Sequence, residues 1–278
     1  PGALREVVRR YELASVQEDI AWSHDFAPHL QLPATVAQLA RHAFTEIVNN
    51  AVAHSGGSEV TVSMRQTPTN LQMLVSDDGC GLFERIGSSH QISTPALAML
   101  ELAKGRLTSQ PRQHTGHGLF FTARMADVLD LHANEAAFQH RAWQPHQWRP
   151  VRPAARCGTS VFVAFLLDTP RQLDAELRAF SLDGARYDFE RTRVALHLLG
   201  GPDRQLESRA QARRVSQRLA EFRRAEIDFD GITAVGHSFA DELFRVFAAE
   251  QPALELVPLG MNAQVTAMWA AVRGVACS

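Results

Sequence analysis

Apolar side chains recur every fourth position at Leu39, Ala43, Ile47 and Ala51, the stripe of one helix face, and the run stops at the pair Gly56-Gly57. The pattern predicts a long helix over residues 35–54. Val60, Val62 and Met64 then alternate with polar residues in "EVTVSMRQ". A second strand-like run, "NLQMLVSDDGCG", follows the turn signal "TPTN", so a hairpin leads into a glycine-rich turn. Upstream, Leu4, Val7, Val8 and Tyr11 stand at helical spacing and predict a helical lead-in arm over residues 1–36, closed by the connector "SHDFAPHLQLPA".

Residues 83–115 are rich in Ser, Gln, Thr and Gly around one short helical stretch, "PALAMLELAKG". A long segment of this kind is usually functional and reads as a lid. It ends at "HTGHGLFFTARMADVLDL", a glycine turn opening a helix. Two more strands, "AFQHRAWQP" and "GTSVFVAFLL", precede the linker "DTPRQLDAEL". From about residue 187 strands and helices alternate: "RTRVALHLL", "SRAQARRVSQRLAEFR" with Val215, Leu219 and Phe222 as its buried stripe, "IDFDGITAVG", "SFADELFRVFAAEQ", "ALELVPLG" and "NAQVTAMWAAVRG". Such alternation predicts a small parallel or mixed sheet with helices packed on it. The chain thus divides into an arm (1–36), a first domain (37–168), a linker (169–186) and a second domain (187–278).

Composition narrows the function classes. With 45% hydrophobic and 21% charged residues and a formal net charge of −2 over 278 residues, the chain reads as an ordinary globular protein. It has no overall basic field for nucleic acid or anionic lipid. Cys80, Cys157 and Cys277 form no CxxC pair, so neither a zinc site nor a disulfide framework is indicated, and a reducing cytoplasm fits. No run reaches membrane-spanning length, and the first residues contain no apolar signal core.

Against this background a carboxylate and two amides inside an apolar helix stand out: Glu46, Asn49 and Asn50 in "TEIVNNAVAHSGG". Glu46 and Asn50 are four residues apart and share a face. Three further pieces follow in order: D-x-G-x-G (Asp77, Gly79, Gly81), G-x-G-L (Gly116, Gly118, Leu119) and a strand-entry G-T (Gly158, Thr159). Together, over residues 38–168, they resemble the ATP-binding fold shared by DNA gyrase, the large cytosolic heat-shock chaperone, histidine kinases and the mismatch-repair protein MutL, the GHKL superfamily.

The resemblance implies an α+β architecture, a two-layer α/β sandwich of the Bergerat type, and ATP with Mg²⁺ as ligands. Asn50 would hold the metal as a hard neutral oxygen donor, and Glu46 would orient or deprotonate a water attacking the γ-phosphate. Asp77 would accept from the adenine amino group, Gly79 and Gly81 would let the backbone approach, and Thr159 would make a second adenine contact. Asn49, His117, Gly116, Gly118 and Leu119 complete the implied nucleotide set. Lys104 and Arg106, with His114 and His117, are the cations placed to meet phosphate; a solvated lid surface accounts for the first two equally well. His132, His140 and His146 lie among aromatic residues without ligand spacing and read as packing or surface. Histidine kinases usually carry Asn where this chain has Glu46, and no phosphoacceptor helix pair precedes the fold, which disfavours a sensor kinase.

Residues 187–275 resemble a STAS-like domain of unknown function found fused behind such ATPases in bacteria. "ITAVGHS" aligns Ser238 with the phosphoacceptor of true STAS domains but has Gly236 in place of the preceding Asp. Ser238 to Asp241 is also an N-capping pattern, and the capping reading is the favoured one. The expected function is an ATP-dependent switch with slow hydrolysis, read out through the STAS-like domain to a protein partner or a second copy. A serine/threonine kinase of anti-sigma-factor type and a non-hydrolysing ATP-binding transcription regulator are the alternatives.

Overall fold

The computed structural model describes residues 4–107, 117–144, 148–154, 156–184, 187–200 and 203–274. The chain forms two compact units. One comprises residues 1–98 and 106–177, the other residues 99–105 and 178–278. The second unit is therefore discontinuous, taking seven residues from inside the predicted lid.

The first unit is built on a seven-stranded antiparallel sheet: β1 (Arg5–Glu12), β2 (Glu59–Gln66), β3 (Asn70–Asp77), β4 (Val128–Ala133), β5 (Ala136–Arg141), β6 (Trp148–Val151) and β7 (Thr159–Leu166). Their order is β1-β2-β3-β7-β4-β5-β6. Val60, Val62 and Met64 of β2, Leu71, Met73 and Val75 of β3, and Val161, Val163 and Phe165 of β7 are buried on one face, as period-two alternation requires. The long helix α2 (Ala34–His54) buries Val36, Leu39, Ala43, Phe44 and Ile47 against that face and packs on α5 (Gly118–Met125), giving two layers. The α+β expectation holds, and the 35–54 helix is found within one residue.

Three expectations for the first 125 residues change. The lead-in arm is a strand: β1 pairs antiparallel with β2 over its whole length, from Arg5↔Gln66 to Glu12↔Glu59. The spacing Leu4, Val7, Val8, Tyr11 fits a helix, but these are mostly β-branched or aromatic, and only Val7 among the strand residues turns into the core. The charges Arg5, Glu6, Arg9, Arg10 and Glu12 suit an edge strand. After β1, the short α1 (Glu18–Ala21) and the turns that follow press Trp22 and Phe26 onto Phe44 of α2, each at 5.5 Å between ring centres. Residues 1–36 are thus part of the first unit. Second, the stretch read as one helix from Gly118 ends at Met125, and β4 begins at Val128. Third, the predicted lid contains α3 (Leu82–His90) and α4 (Pro95–Lys104); its residues 108–115 lie outside the described residues, as do Gly116, His114, His146 and Cys277.

In the second unit β8 (Arg191–Ala195), β10 (Arg224–Asp228) and β12 (Glu255–Leu259) form a parallel sheet in the order β12-β10-β8, beside a short parallel pair, β9 (Gln205–Leu206) with β11 (Ala234–Val235). Each crossover carries a helix, as parallel pairing requires: α7 (Arg209–Ser216) before β10, then α8 (His237–Asp241), a π-helical stretch and α9 (Ala248–Glu250) before β12. The last helix, α10 (Ala263–Arg273), starts at an Asn262 cap and stops at Gly274 in left-handed backbone. Helix α6 (Leu173–Arg178) occupies the predicted linker. Helix α7 opens with a capping box between Ser208 and Gln211 but ends at Ser216, short of the predicted 223, because Arg218 takes a left-handed conformation at φ 62°.

Candidate functional site

The ends of β3 and β7 meet because the two strands are antiparallel neighbours with Ser76 opposite Ser160. That register sets Asp77 beside Thr159. Helix α2 covers them with Ile47, Asn50, Ala51 and His54. Gly81, Leu82 and Arg85 at the start of α3 and Leu119 of α5 close a pocket lined also by Val75 and Val161. Its walls are largely apolar with a few convergent polar groups, the usual make-up of a small-molecule site.

Asp77 is the buried carboxylate of this pocket. Its Oδ1 accepts from the Gly79 N–H at 2.9 Å and the Thr159 N–H at 3.1 Å, which leaves Oδ2 as the oxygen for a ligand. Burial raises its pKa, opposed by those two N–H groups. The geometry demands glycine nearby: a Cβ on Gly158, at φ 86°, would collide with the Asp77 carbonyl, and one on Gly79 with the Ser55 carbonyl. The adjacent Asp78 has a different task. It is exposed and accepts from Ser58 N–H at 2.7 Å, Ser58 Oγ at 2.6 Å and Glu59 N–H at 2.9 Å, bonds led by Glu59 that hold its pKa down to about 2.

Glu46 lies one turn before Asn50 on α2, half-buried, and burial raises its pKa. Its carboxylate lies against the first residue of α5, where a Cβ on Gly118 would run into it. One turn earlier, His42 has a buried Nε2 with no hydrogen-bond partner among the described residues, and burial lowers its pKa. His42, Glu46 and Asn50 thus form a polar ridge along an apolar helix, and sequence reasoning had seen only two of its members. His117, just before α5, is pushed down to about 4 by burial and then by Arg106, so at neutral pH it offers an N–H and no charge.

Glu46, Asn50, Asp77, Gly79, Gly81, Gly118, Leu119 and Thr159 are therefore gathered around or beside one pocket. Asn49 points elsewhere: a neighbour of Asn50 is rotated by about 100° on a helix, and its Nδ2 reaches Glu18 at 3.4 Å. Lys104 belongs to the second unit and is fully buried, its ammonium donating to Glu101 at 2.5 Å and to the Gln217 carbonyl at 2.9 Å. Ser238 is no cap. Gly236 occupies that position without a side-chain bond, because extended backbone ends there, and Ser238 is an exposed residue in the first turn of α8. The Asp241 carboxylate instead pairs with Arg245. His140 packs on Trp148 as expected, and His132 accepts from the Ala154 N–H.

Asn134 escaped sequence reasoning altogether. At φ 49° in the β4–β5 turn, its side chain donates to the Cys80 carbonyl at 2.8 Å and accepts from Gly158 N–H at 2.9 Å, tying together the two loops that hold Asp77. An Asn in a tight turn is the only signal, and it is a weak one. The exposed thiols of Cys80 and Cys157 stand on those same loops.

Residues 10–138 match the family model of the histidine kinase-like ATPase domain, and residues 211–266 that of a STAS-like domain of unknown function. The first match begins within β1, in keeping with the strand's place in the sheet. No curated protein matches the chain. Among the described residues, no helix is long and apolar enough to cross a membrane.

Proposed function

We propose that a chain joining a histidine kinase-like ATPase domain to a STAS-like domain acts as a Mg-ATP-dependent regulatory switch with slow hydrolysis, its nucleotide state read out through the second domain. The observation that carries this reading is the buried Asp77 carboxylate with a free oxygen at the foot of an apolar pocket, beside a helix bearing Glu46 and Asn50. Asp77 Oδ2 accepts from the adenine amino group, while Ile47, Val75, Leu82 and Val161 shield the base. The N-terminal turn of α5 would meet the phosphates, at the end where the helix dipole favours negative charge.

Among the described residues no cluster of three or more His, Cys, Asp or Glu could hold a metal alone. Mg²⁺ keeps several waters and shares phosphate oxygens, so it takes few ligands from a protein. Asn50 would hold it, and the ion would supply neutralisation of phosphate charge. Glu46 takes the proton of the attacking water, a role helped by its raised pKa.

Radiolabelled γ-phosphate tests the reading: released inorganic phosphate without labelled protein is expected. Exposure of Ser238 favours one second reading, a kinase acting on this serine or on a separate STAS-type protein. Label on the chain that disappears in Ser238→Ala would establish that reading instead, and binding with neither product would leave a passive ATP-dependent regulator. A simpler prediction concerns Cys80, exposed between Gly79 and Gly81. Iodoacetamide should label it severalfold more slowly in Mg-ATP than in buffer, read by peptide mass spectrometry, and equal rates would count against a nucleotide at this pocket.

A further inference from the structure

Helix α4 runs unbroken from Pro95 to Lys104, yet its residues from Met99 onward belong to the second unit. Their docking is dense. Lys104, with no exposed surface, pairs with buried Glu101 at 2.5 Å and donates to the Gln217 carbonyl at 2.9 Å and the Arg214 carbonyl at 3.4 Å. An ammonium there satisfies carbonyls at the C-terminal end of α7, where the helix dipole favours positive charge. Arg218 reaches Glu101 Oε2 at 3.2 Å and the Gly105 carbonyl at 3.3 Å, and also pairs with Glu221 at 3.0 Å. Thr192 of β8 donates to the Lys104 carbonyl at 2.7 Å. Met99, Leu100 and Leu102 are buried with them.

We infer that residues 99–105 are the strap through which the ATP site and the STAS-like unit regulate one another, held by the Glu101–Lys104–Arg218 cluster. The inference rests on the proposed ATP site and adds the route by which it is read. A surface contact could loosen by degrees, but a buried ion pair cannot, since removing either partner strands the other charge. The strap is therefore docked with its whole set of bonds or released, the two-state behaviour that coupling between sites requires. Residues 95–98 of α4 belong to the first unit and 99–104 to the second, so this helix is the covalent link by which a change in one can reach the other. By reciprocity, whatever shifts the cluster also shifts affinity for ATP.

Hydrogen exchange on the full chain, with and without a Mg²⁺-loaded imido analogue of ATP, decides the matter. Protection of the amides at 77–81 reports binding at the pocket. In the wild type the analogue is expected to alter exchange at 191–195 and 209–218 by about fivefold or more. In the double variant Glu101→Leu/Lys104→Met, apolar side chains replace the pair, so pocket protection should persist while the response at 209–218 vanishes. Thr192→Val, which removes a single bond, should weaken the response; should the double variant fail to fold by circular dichroism, this variant supplies the comparison. Pocket protection in the wild type with unchanged exchange at 191–195 and 209–218 would overturn the strap and leave the ATP site standing. A full response in the folded double variant would overturn it too. No protection at 77–81 would remove the ATP site, and the strap with it.

Discussion

Glu46→Ala is expected to retain Mg-ATP and to lose turnover by about 10²–10⁴-fold, whereas Asn50→Ala should lose the metal-dependent part of nucleotide affinity itself. The two residues are one turn apart on α2, so a merely structural role would make their variants alike. Calorimetry for binding and phosphate release for turnover, on both proteins, separate the roles. Burial raises the Glu46 pKa, so the acidic limb of turnover should lie above the ordinary carboxylate range, with activity falling as pH drops through the raised value. The same burial fixes a stability control. A carboxylate whose folded pKa exceeds its unfolded one opposes folding when ionised. Glu46→Ala should therefore melt no lower than the wild type at pH 8, with any gain shrinking as pH falls into the window between the two values. If wild-type protein binds ATP but releases no phosphate, Glu46 has no catalytic role.

Asp77→Asn should weaken ATP by roughly ten- to a hundredfold, the worth of a charge-assisted hydrogen bond at about 1.5–3 kcal/mol. The direction follows from the loop geometry. The Gly79 and Thr159 N–H groups both need an acceptor, and the amide oxygen of Asn would serve them as Oδ1 does now. Its NH₂ would then face the ligand, donor against the adenine amino donor. The same turn should favour a 6-keto purine, so the ratio of ITP to ATP affinity is expected to rise. Unchanged ATP affinity in a folded variant would remove Asp77 from the adenine site.

Much of this site was legible because it is local. Glu46 and Asn50 share a face by helix geometry, and Asp77 and Thr159 sit at the ends of strands whose alternation is plain. What the pattern could not disclose was decided at long range. The spacing of Leu4, Val7, Val8 and Tyr11 is compatible with a helix, and only the available edge of β2 makes those residues a strand. Lys104 looks like a phosphate ligand in sequence, but its partners lie 110 and 113 residues downstream. The same contact accompanies the early end of α7, a helix that propensity alone would have continued. Ser238 keeps the spelling of a cap while the backbone starts its helix at Gly236.

The discontinuity of the second unit also bears on how the chain is made. Thr192 follows Lys104 by 88 residues and Gln217 by 113. At about 5–20 residues per second of synthesis, the stem of α4 leaves the ribosome roughly 6–23 s before the last of these partners exists. Throughout that interval Glu101 and Lys104 lack the partners at 192, 214, 217 and 218 that surround them in the finished protein. The second unit is therefore assembled from a piece made early and a piece made late, with the rest of the first unit translated between them. The end of α4 is thus made early and completed late, a segment available to chaperones until residues 192–218 supply its partners.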